Sequence, residues 1–342
     1  MKRVLVTGAN KGIGLAIVKR LLRECPDVYI YLGSRDSNRG RKAIEQSISE
    51  IGEQVKERLE LIEIDVTSDS SVNKAVKDMQ KNVLDNSKFL YGIVNNAGGT
   101  GSEMSGNEII QLNMYGVRRV TEAFLPFIQN GGKFIDLPFF FIPNIMKDLF
   151  LYKLKSDFIN FKSGRIVQVS SGSAPMFLQK CNDDIKYLLA NKHDLEWEEV
   201  ERNVIQSVLD ITQDTNMTDE DKAQMISQKG LGELGGMYFY GLAKACVNAY
   251  TFSLSNKNPN IKMNSCSPGF IETDLTRPFA ERSGKTPAEM GMLPVEKGTI
   301  APVHLLMDDV NGNGWYYGSD GLRSPMHKYR SPGDPEYDGV FP

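Results

Sequence analysis

The stretch Lys2-Arg3-Val4-Leu5-Val6-Thr7-Gly8-Ala9-Asn10-Lys11-Gly12-Ile13-Gly14-Leu15 decides the fold. Lys2 to Thr7 reads as a short buried strand that runs straight into glycines spaced G-x-x-x-G-x-G. From Leu15 onward Ile17, Val18, Leu21 and Leu22 recur at helical spacing. A strand, a glycine-rich turn and a helix in that order suit a phosphate. Glycines let the backbone approach a pyrophosphate, and the first turn of a helix offers unpaired N–H groups and a favourable dipole. The competing reading is a tight strand-to-helix turn with no ligand.

Working outward, Val28–Gly33 is a second strand ending in Ser34-Arg35. At that strand end an acid would hold a ribose 2′-hydroxyl, and a base would hold a 2′-phosphate. Arg35 stands there, with Arg39 beyond it and Lys11 in the glycine turn, and these cations favour NADP(H) over NAD(H). Asp36 competes, but reads better as a cap for a helix with periodicity from Arg41 to Ile51. Leu59–Ile64 is a third strand, followed by Asp65-Val66-Thr67. Asp65 would accept from an adenine amino group or begin the next helix, 70–84. Phe89–Val94 is a fourth strand, ending in Asn95-Asn96-Ala97-Gly98-Gly99. This alternation implies parallel βαβ units, with ligands at the C-terminal ends of the strands.

Far downstream, Tyr240-Gly241-Leu242-Ala243-Lys244 puts a Tyr and a Lys one turn apart on one helical face. Alone, the pair reads as a partly buried Tyr beside a solvated Lys. With Thr7-Gly8-x-x-x-Gly12-x-Gly14, Asn95-Asn96-Ala97-Gly98, Asn113, Ser170-Ser171 and Pro268-Gly269-x-x-x-Thr273 in this order, the chain resembles the short-chain dehydrogenases/reductases. The match covers roughly 1–131, 164–173 and 236–321. Gly8 to Val18, Arg35–Gly40 and a long insertion ahead of the Tyr look most like the monomeric NADPH-dependent carbonyl reductases.

The resemblance implies a doubly wound α/β Rossmann fold with a parallel seven-stranded sheet and two insertions. It also implies roles. Tyr240 would give a proton to a carbonyl oxygen, its pKa lowered by Lys244 and the oxidised nicotinamide. Ser171 would hold the same oxygen; Ser170 is the weaker choice, because adjacent strand residues point to opposite faces. Asn113, on a helix beginning near Ser105, would support a water leading to Lys244. Tyr240 and Lys244 would also contact the nicotinamide ribose, and Thr273 the carboxamide. Gly8, Asn10, Lys11, Gly12, Ile13, Gly14, Arg35, Arg39, Asp65, Val66, Asn96, Ala97, Gly98, Pro268, Gly269 and Ile271 complete the expected NADP(H) site. Taken alone, Ser171 reads as a turn serine, Asn113 as a helix amide and Thr273 as a cap for the next helix.

The first insertion, 133–163, holds the apolar runs Leu137–Pro143 and Leu149–Tyr152. Prolines and Lys147-Asp148 interrupt it, so it is too short and broken to span a bilayer. It joins a helix to a strand and is therefore expected on the face away from the active site, with no role in substrate binding. It reads first as a flap or hairpin folded onto the domain; membrane-surface contact through 137–152, a partner contact or retained non-coding sequence are less favoured. The second insertion, 174–235, leaves the C-terminal end of the Ser171 strand. Trp197, Val200, Val204, Ile205, Val208 and Leu209 have helical spacing, and Thr218–Asp221 resembles a capping box. This segment is expected as helical cover over the active site that would obstruct dimer packing and leave a monomer. Residues 1–325 then form one domain. The tail 326–342, rich in Pro, Gly, Asp and Arg, is expected to be loosely ordered or draped over the surface. Phe279, Met290 and Met292 are read first as ordinary packing residues.

Bulk properties narrow the rest. The net charge of −3 and pI near 5.8 point away from nucleic acid as a partner. Four scattered cysteines, without C-x-x-C spacing, and three unpaired histidines point away from a metal or a disulfide framework. Cys266 sits one residue too early, with Ser267 before the Pro-Gly turn, for the thiol-linked role some carbonyl reductases show. The chain opens directly on a strand, and the simplest location is cytoplasmic. The expected reaction is NADPH-dependent reduction of a ketone, aldehyde or quinone. The alternatives are NADP-dependent alcohol oxidation with the same residues, or an NADP-sensing or membrane-peripheral binding protein on this fold.

Overall fold

The computed structural model describes residues 1–81, 88–129, 163–191 and 194–341. Strand β1 (Lys2–Val6) has Val4, Leu5 and Val6 fully buried. That is the signature of a strand covered on both faces, and it is found at the centre of a parallel sheet. Its neighbours are β2 (Val28–Ser34) and β4 (Leu90–Asn95). With β3 (Leu59–Glu63), β5 (Arg165–Val169), β6 (Lys262–Cys266), β7 (Tyr316–Tyr317) and β8 (Arg323–Ser324), the order is β3-β2-β1-β4-β5-β6-β7-β8. The order reverses between β1 and β4, which opens a crevice at the C-terminal ends of the strands.

The parallel seven-stranded expectation is corrected by one strand. β8 pairs with β7 antiparallel, giving eight strands. The chain reverses through Gly318–Gly321, where Gly321 has φ +78° and Gly318 N–H donates to Leu322 O at 2.8 Å. The Arg323 guanidinium stacks on the Trp315 ring at 3.8 Å, a cation–π contact that holds the hairpin shut.

Helices α1 (Gly12–Glu24), α2 (Ser37–Ile51) and α3 (Asp69–Lys81) follow the first strands. α2 starts at Ser37, four residues before the periodicity from Arg41 suggests. Asp36 accepts from Asn38 N–H and Arg39 N–H at 2.9 Å each and so caps it. After β4, α4 (Gly106–Ile110) passes through a π-helical turn (Gln111–Tyr115) into α5 (Gly116–Phe124).

The apolar insertion at 133–163 lies, Ser163 apart, outside the described residues. Its flanks meet: Gly164 N–H donates to Gln129 O at 2.8 Å, and Ile128 bridges to Leu90 at the start of β4. This junction is at the sheet end opposite the glycine turn.

The segment 174–235 is helical, with α6 (Ser173–Gln179), α7 (Asp183–Ala190), α8 (Trp197–Val200), a π-helical turn (Glu201–Gln206), α9 (Ser207–Gln213) and α10 (Asp219–Gln228). Thr218 and Asp221 form the capping box. Its position differs from expectation. Trp197, Val200, Val204, Ile205 and Val208 join one apolar cluster with Leu242, Cys246 and Tyr250 of α11 (Tyr238–Lys257). The insertion therefore flanks α11. A helix apolar on all sides must be covered on the face away from the sheet. α12 (Arg277–Ser283) and α13 (Ile300–Met307) complete the helices used below.

The tail is draped over the surface, with most of residues 328–341 exposed, but it is tied down rather than loose. Met326 and His327 are buried, and Arg330 pairs with Asp320 at 2.5 Å with its side chain 6% exposed. Among the described residues, no helix is long and apolar enough to cross a membrane.

Candidate active site

The C-terminal ends of the strands open into a cleft of about 1570 Å³. Cofactor and ligand pockets usually span roughly 300–1,000 Å³, so the cleft has room for a dinucleotide and a small substrate together. Nearly every residue singled out from sequence lines it: Gly8, Asn10, Lys11, Gly12, Ile13, Arg35, Arg39, Asp65, Val66, Asn96, Ala97, Gly98, Ser171, Tyr240, Lys244, Pro268, Gly269, Ile271 and Thr273. Gly14 and Asn113 sit just behind the wall and shape it.

The glycine turn is a backbone joint. Gly8 and Gly12 have φ of +63° and +56°, which L side chains rarely adopt. Gly14 is required by crowding: a Cβ there would lie 2.5 Å from Asn96 Nδ2 and 2.6 Å from Gly8 O. Asn96 Nδ2 donates to Thr7 O at 3.0 Å and to Gly8 O at 3.2 Å. Thr7 Oγ1 accepts from Asn96 N–H and Ala97 N–H, both at 3.1 Å. The ends of β1 and β4 are thus bolted together. Thr7 went unassigned in the sequence, although its place directly before the first glycine was the available signal.

The expected cationic selector is only partly free. Lys11 pairs with Asp274 at 2.5 Å, and Arg39 pairs with Asp36 at 3.0 Å. Arg35 is exposed and makes no hydrogen bond or ion pair among the described residues. Asp65, which lines the cleft, uses Oδ1 to accept from Thr67 N–H and Thr67 Oγ1, at 2.9 and 2.7 Å.

At the other end of the cleft, α11 presents Tyr240 and Lys244. Lys244 Nζ donates to Val169 O at 2.9 Å and is 5.7 Å from the centre of the Tyr240 ring. Burial pushes Lys244 down to about 8 and Tyr240 up to about 12. Desolvation is the larger influence on the phenol here. The Ser171 hydroxyl is the group that pulls the phenol the other way. Ser170 and Ser171 both line the cleft, and Ser170 donates its hydroxyl to the Lys244 carbonyl at 3.2 Å.

Asn113 is fully buried on the π-helical turn. It accepts from Gly99 N–H at 3.0 Å and donates to Gly99 O at 2.7 Å, so it locks the loop after β4. Gly98 lies between it and the lysine: a Cβ there would meet Asn113 Oδ1 at 2.8 Å and Lys244 Nζ at 3.2 Å. Thr276, not Thr273, stands at the N-cap position of α12, without a side-chain cap bond; its hydroxyl donates to Ile271 O at 2.6 Å, and Thr273 lines the cleft.

The apolar wall comes from Leu112, Met237, Phe270, Phe279 and Met290. Phe279 and Met290 are therefore wall residues rather than ordinary packing, while Met292 is buried away from the cleft. Among the described residues, none from 174 to 235 lines it, so the second insertion does not cover the site. Cys266 is fully buried, and burial raises its thiol, which leaves it unreactive. No three His, Cys, Asp or Glu among the described residues gather to hold a metal.

Residues 2–136 match the short chain dehydrogenase family. The chain is 27% identical over 324 residues to (+)-neomenthol dehydrogenase of Arabidopsis thaliana, covering 89% of this chain and 90% of the relative. It is 25% identical over 316 residues to carbonyl reductase (NADPH) 3 of Mus musculus, covering 89% and 90%. The fold matches the structure of salutaridine reductase from Papaver somniferum with a TM-score of 0.65 at 22% identity, covering 93% and 99% of the two chains.

Proposed function

We propose that the chain is a short-chain dehydrogenase/reductase that reduces a small carbonyl compound to an alcohol with NADPH, a reading supported by the family match over residues 2–136 and by its relatives. The observation that carries this reading is the convergence of Tyr240, Ser171 and Lys244 on the same cleft as the glycine turn. The residues fit the cofactor. The crowded Gly8 and Gly14 positions bring backbone to a pyrophosphate, and Arg35 is available for a 2′-phosphate.

When bound, NADPH supplies a hydride to the carbonyl carbon. The chain does the rest. A phenol raised to about 12 stays protonated near neutrality, so Tyr240 is an acid in the reductive direction. Its proton goes to the carbonyl oxygen, which Ser171 holds by hydrogen bonding. The phenolate left behind is stabilised by the Lys244 ammonium one turn away. Leu112, Met237, Phe270, Phe279 and Met290 keep water from the reacting carbon.

The relatives' names include a dehydrogenase as well as reductases, and alcohol oxidation with NADP⁺ uses the same groups in reverse. The test is loss of NADPH absorbance over a panel of ketones, aldehydes and quinones, with alcohols plus NADP⁺ as the reverse arm. Tyr240→Phe is expected to slow turnover by about 10²–10⁴-fold. Arg35→Ala is expected to weaken NADPH by roughly tenfold and leave NADH unchanged. No turnover in either direction, or full activity in Tyr240→Phe, refutes the reading.

A further inference from the structure

The turn after β5 carries Ser171, and two tyrosines from the last part of the chain grip it. Tyr316, on β7, donates its phenol to Ser171 O at 3.2 Å. Tyr316 is buried, and burial raises its pKa, so it remains a donor at every working pH. Tyr329, in the tail, packs its ring on the next residue, Gly172. A Cβ at Gly172 would lie 3.0 Å from Tyr329 Cε2 and 3.6 Å from Cδ2. Gly172 has φ −60°, which any residue adopts, so its backbone does not demand glycine. A side chain at Gly172 would press on the Tyr329 ring.

The next residue, Arg330, anchors the chain at this point. Arg330 donates from Nε to Ser324 Oγ at 2.9 Å, from Nη1 to Asp334 O at 2.6 Å and from Nη2 to Asp320 Oδ1 at 2.5 Å. Asp320 Oδ2 accepts from Gly333 N–H at 3.2 Å, which closes the tail around the guanidinium. Further on, Phe341 packs edge-on against Tyr187 of α7 and against His327. The tail is therefore tied at both ends, to the β7–β8 hairpin and to the insertion.

We propose that Tyr316 and Tyr329 are positioning residues for Ser171, and that the C-terminal tail is a brace on the serine turn. This rests on the reading of Ser171 as the group that holds the carbonyl oxygen. The bond from Tyr316 holds the Ser171 carbonyl and the Tyr329 ring lies on the adjacent Cα, so the backbone that carries the hydroxyl is braced, while the hydroxyl itself accepts from Ser173 N–H at 3.1 Å. A displacement of about 1 Å at such a group can cost about 10²-fold in rate.

The test compares wild type, Tyr316→Phe, Tyr329→Ala and Tyr329→Phe in the full chain. Hydrogen–deuterium exchange is read over 169–176 and over the glycine turn at 7–15, with NADPH affinity and kcat alongside. Tyr316→Phe and Tyr329→Ala are expected to speed exchange at 169–176 alone. They should also lower kcat by about 10- to 100-fold with NADPH affinity unchanged. Tyr329→Phe, which keeps the ring, should restore both. Unchanged exchange at 169–176 overturns the brace. Faster exchange everywhere with lost NADPH binding also overturns it, since that is general loosening. Local loosening with unchanged kcat in an active enzyme overturns the positioning role. If wild type turns over no carbonyl or alcohol, the proposed function falls, while the exchange comparison still decides the brace.

Discussion

At the scale of single residues, burial governs the site. Lys244 is pushed from its ordinary 10.5 down to about 8, so it is charged below that pH and neutral above it. Its charge favours the tyrosinate, so reduction should be fastest where Lys244 is protonated. The value of kcat/KM for NADPH, which reports the free enzyme, should be level in mild acid and fall as pH rises through about 8. Lys244→Met should give a lower profile without that step. A profile that instead rises through this range would contradict the assignment. Gly14 makes a second residue-scale prediction. Gly14→Ala drives a methyl against Asn96 Nδ2, Gly8 O and Ala9 Cα, the last at 2.9 Å, and backbone atoms cannot step aside cheaply. Overpacking of this kind costs about 1–3 kcal/mol. Denaturant unfolding should register that loss, and NADPH affinity should fall with it. These glycines were legible in sequence because a backbone that must turn or touch excludes side chains locally. The pKa directions were not, because they depend on how deeply the pair is buried.

At the scale of elements, the second insertion shows where periodicity stops informing. Helical spacing from Trp197 to Leu209 gives helices correctly, but spacing says nothing about which surface they meet. The α11 sequence held the missing signal. It is apolar around its circumference, and 15 of its 20 residues are buried, so a layer must cover its outer face. Trp197, 5% exposed and edge-on to Tyr250 at 5.4 Å, anchors that layer. Trp197→Ala should cost about 3–5 kcal/mol in unfolding free energy. Because the cluster lies away from the cleft, KM for NADPH should stay within about twofold well below the melting temperature. A large change in KM with little loss of stability would mean that the insertion reaches the site after all.

At the scale of the whole molecule, the covered α11 bears on assembly. With the insertion packed on it, the helix that carries Tyr240 offers little surface to a second copy, and we propose a monomer. Light scattering after size exclusion should give a mass near 38.2 kDa across the concentration range; a stable dimer or tetramer would show that another face pairs. The sequence alone determined the parallel βαβ order, the glycine turn and the Tyr240–Lys244 helix. Each of these rests on local chemistry: strand runs, turn backbones and side-chain periods are set by residues a few positions apart. Only the tertiary structure decided the rest. The insertion lies beside α11, β8 closes the sheet antiparallel, Lys11 is held by Asp274, and the tail grips the Ser171 turn through Tyr329. These are contacts between residues tens to hundreds of positions apart, fixed by which buried surfaces remain to be covered once the sheet has formed.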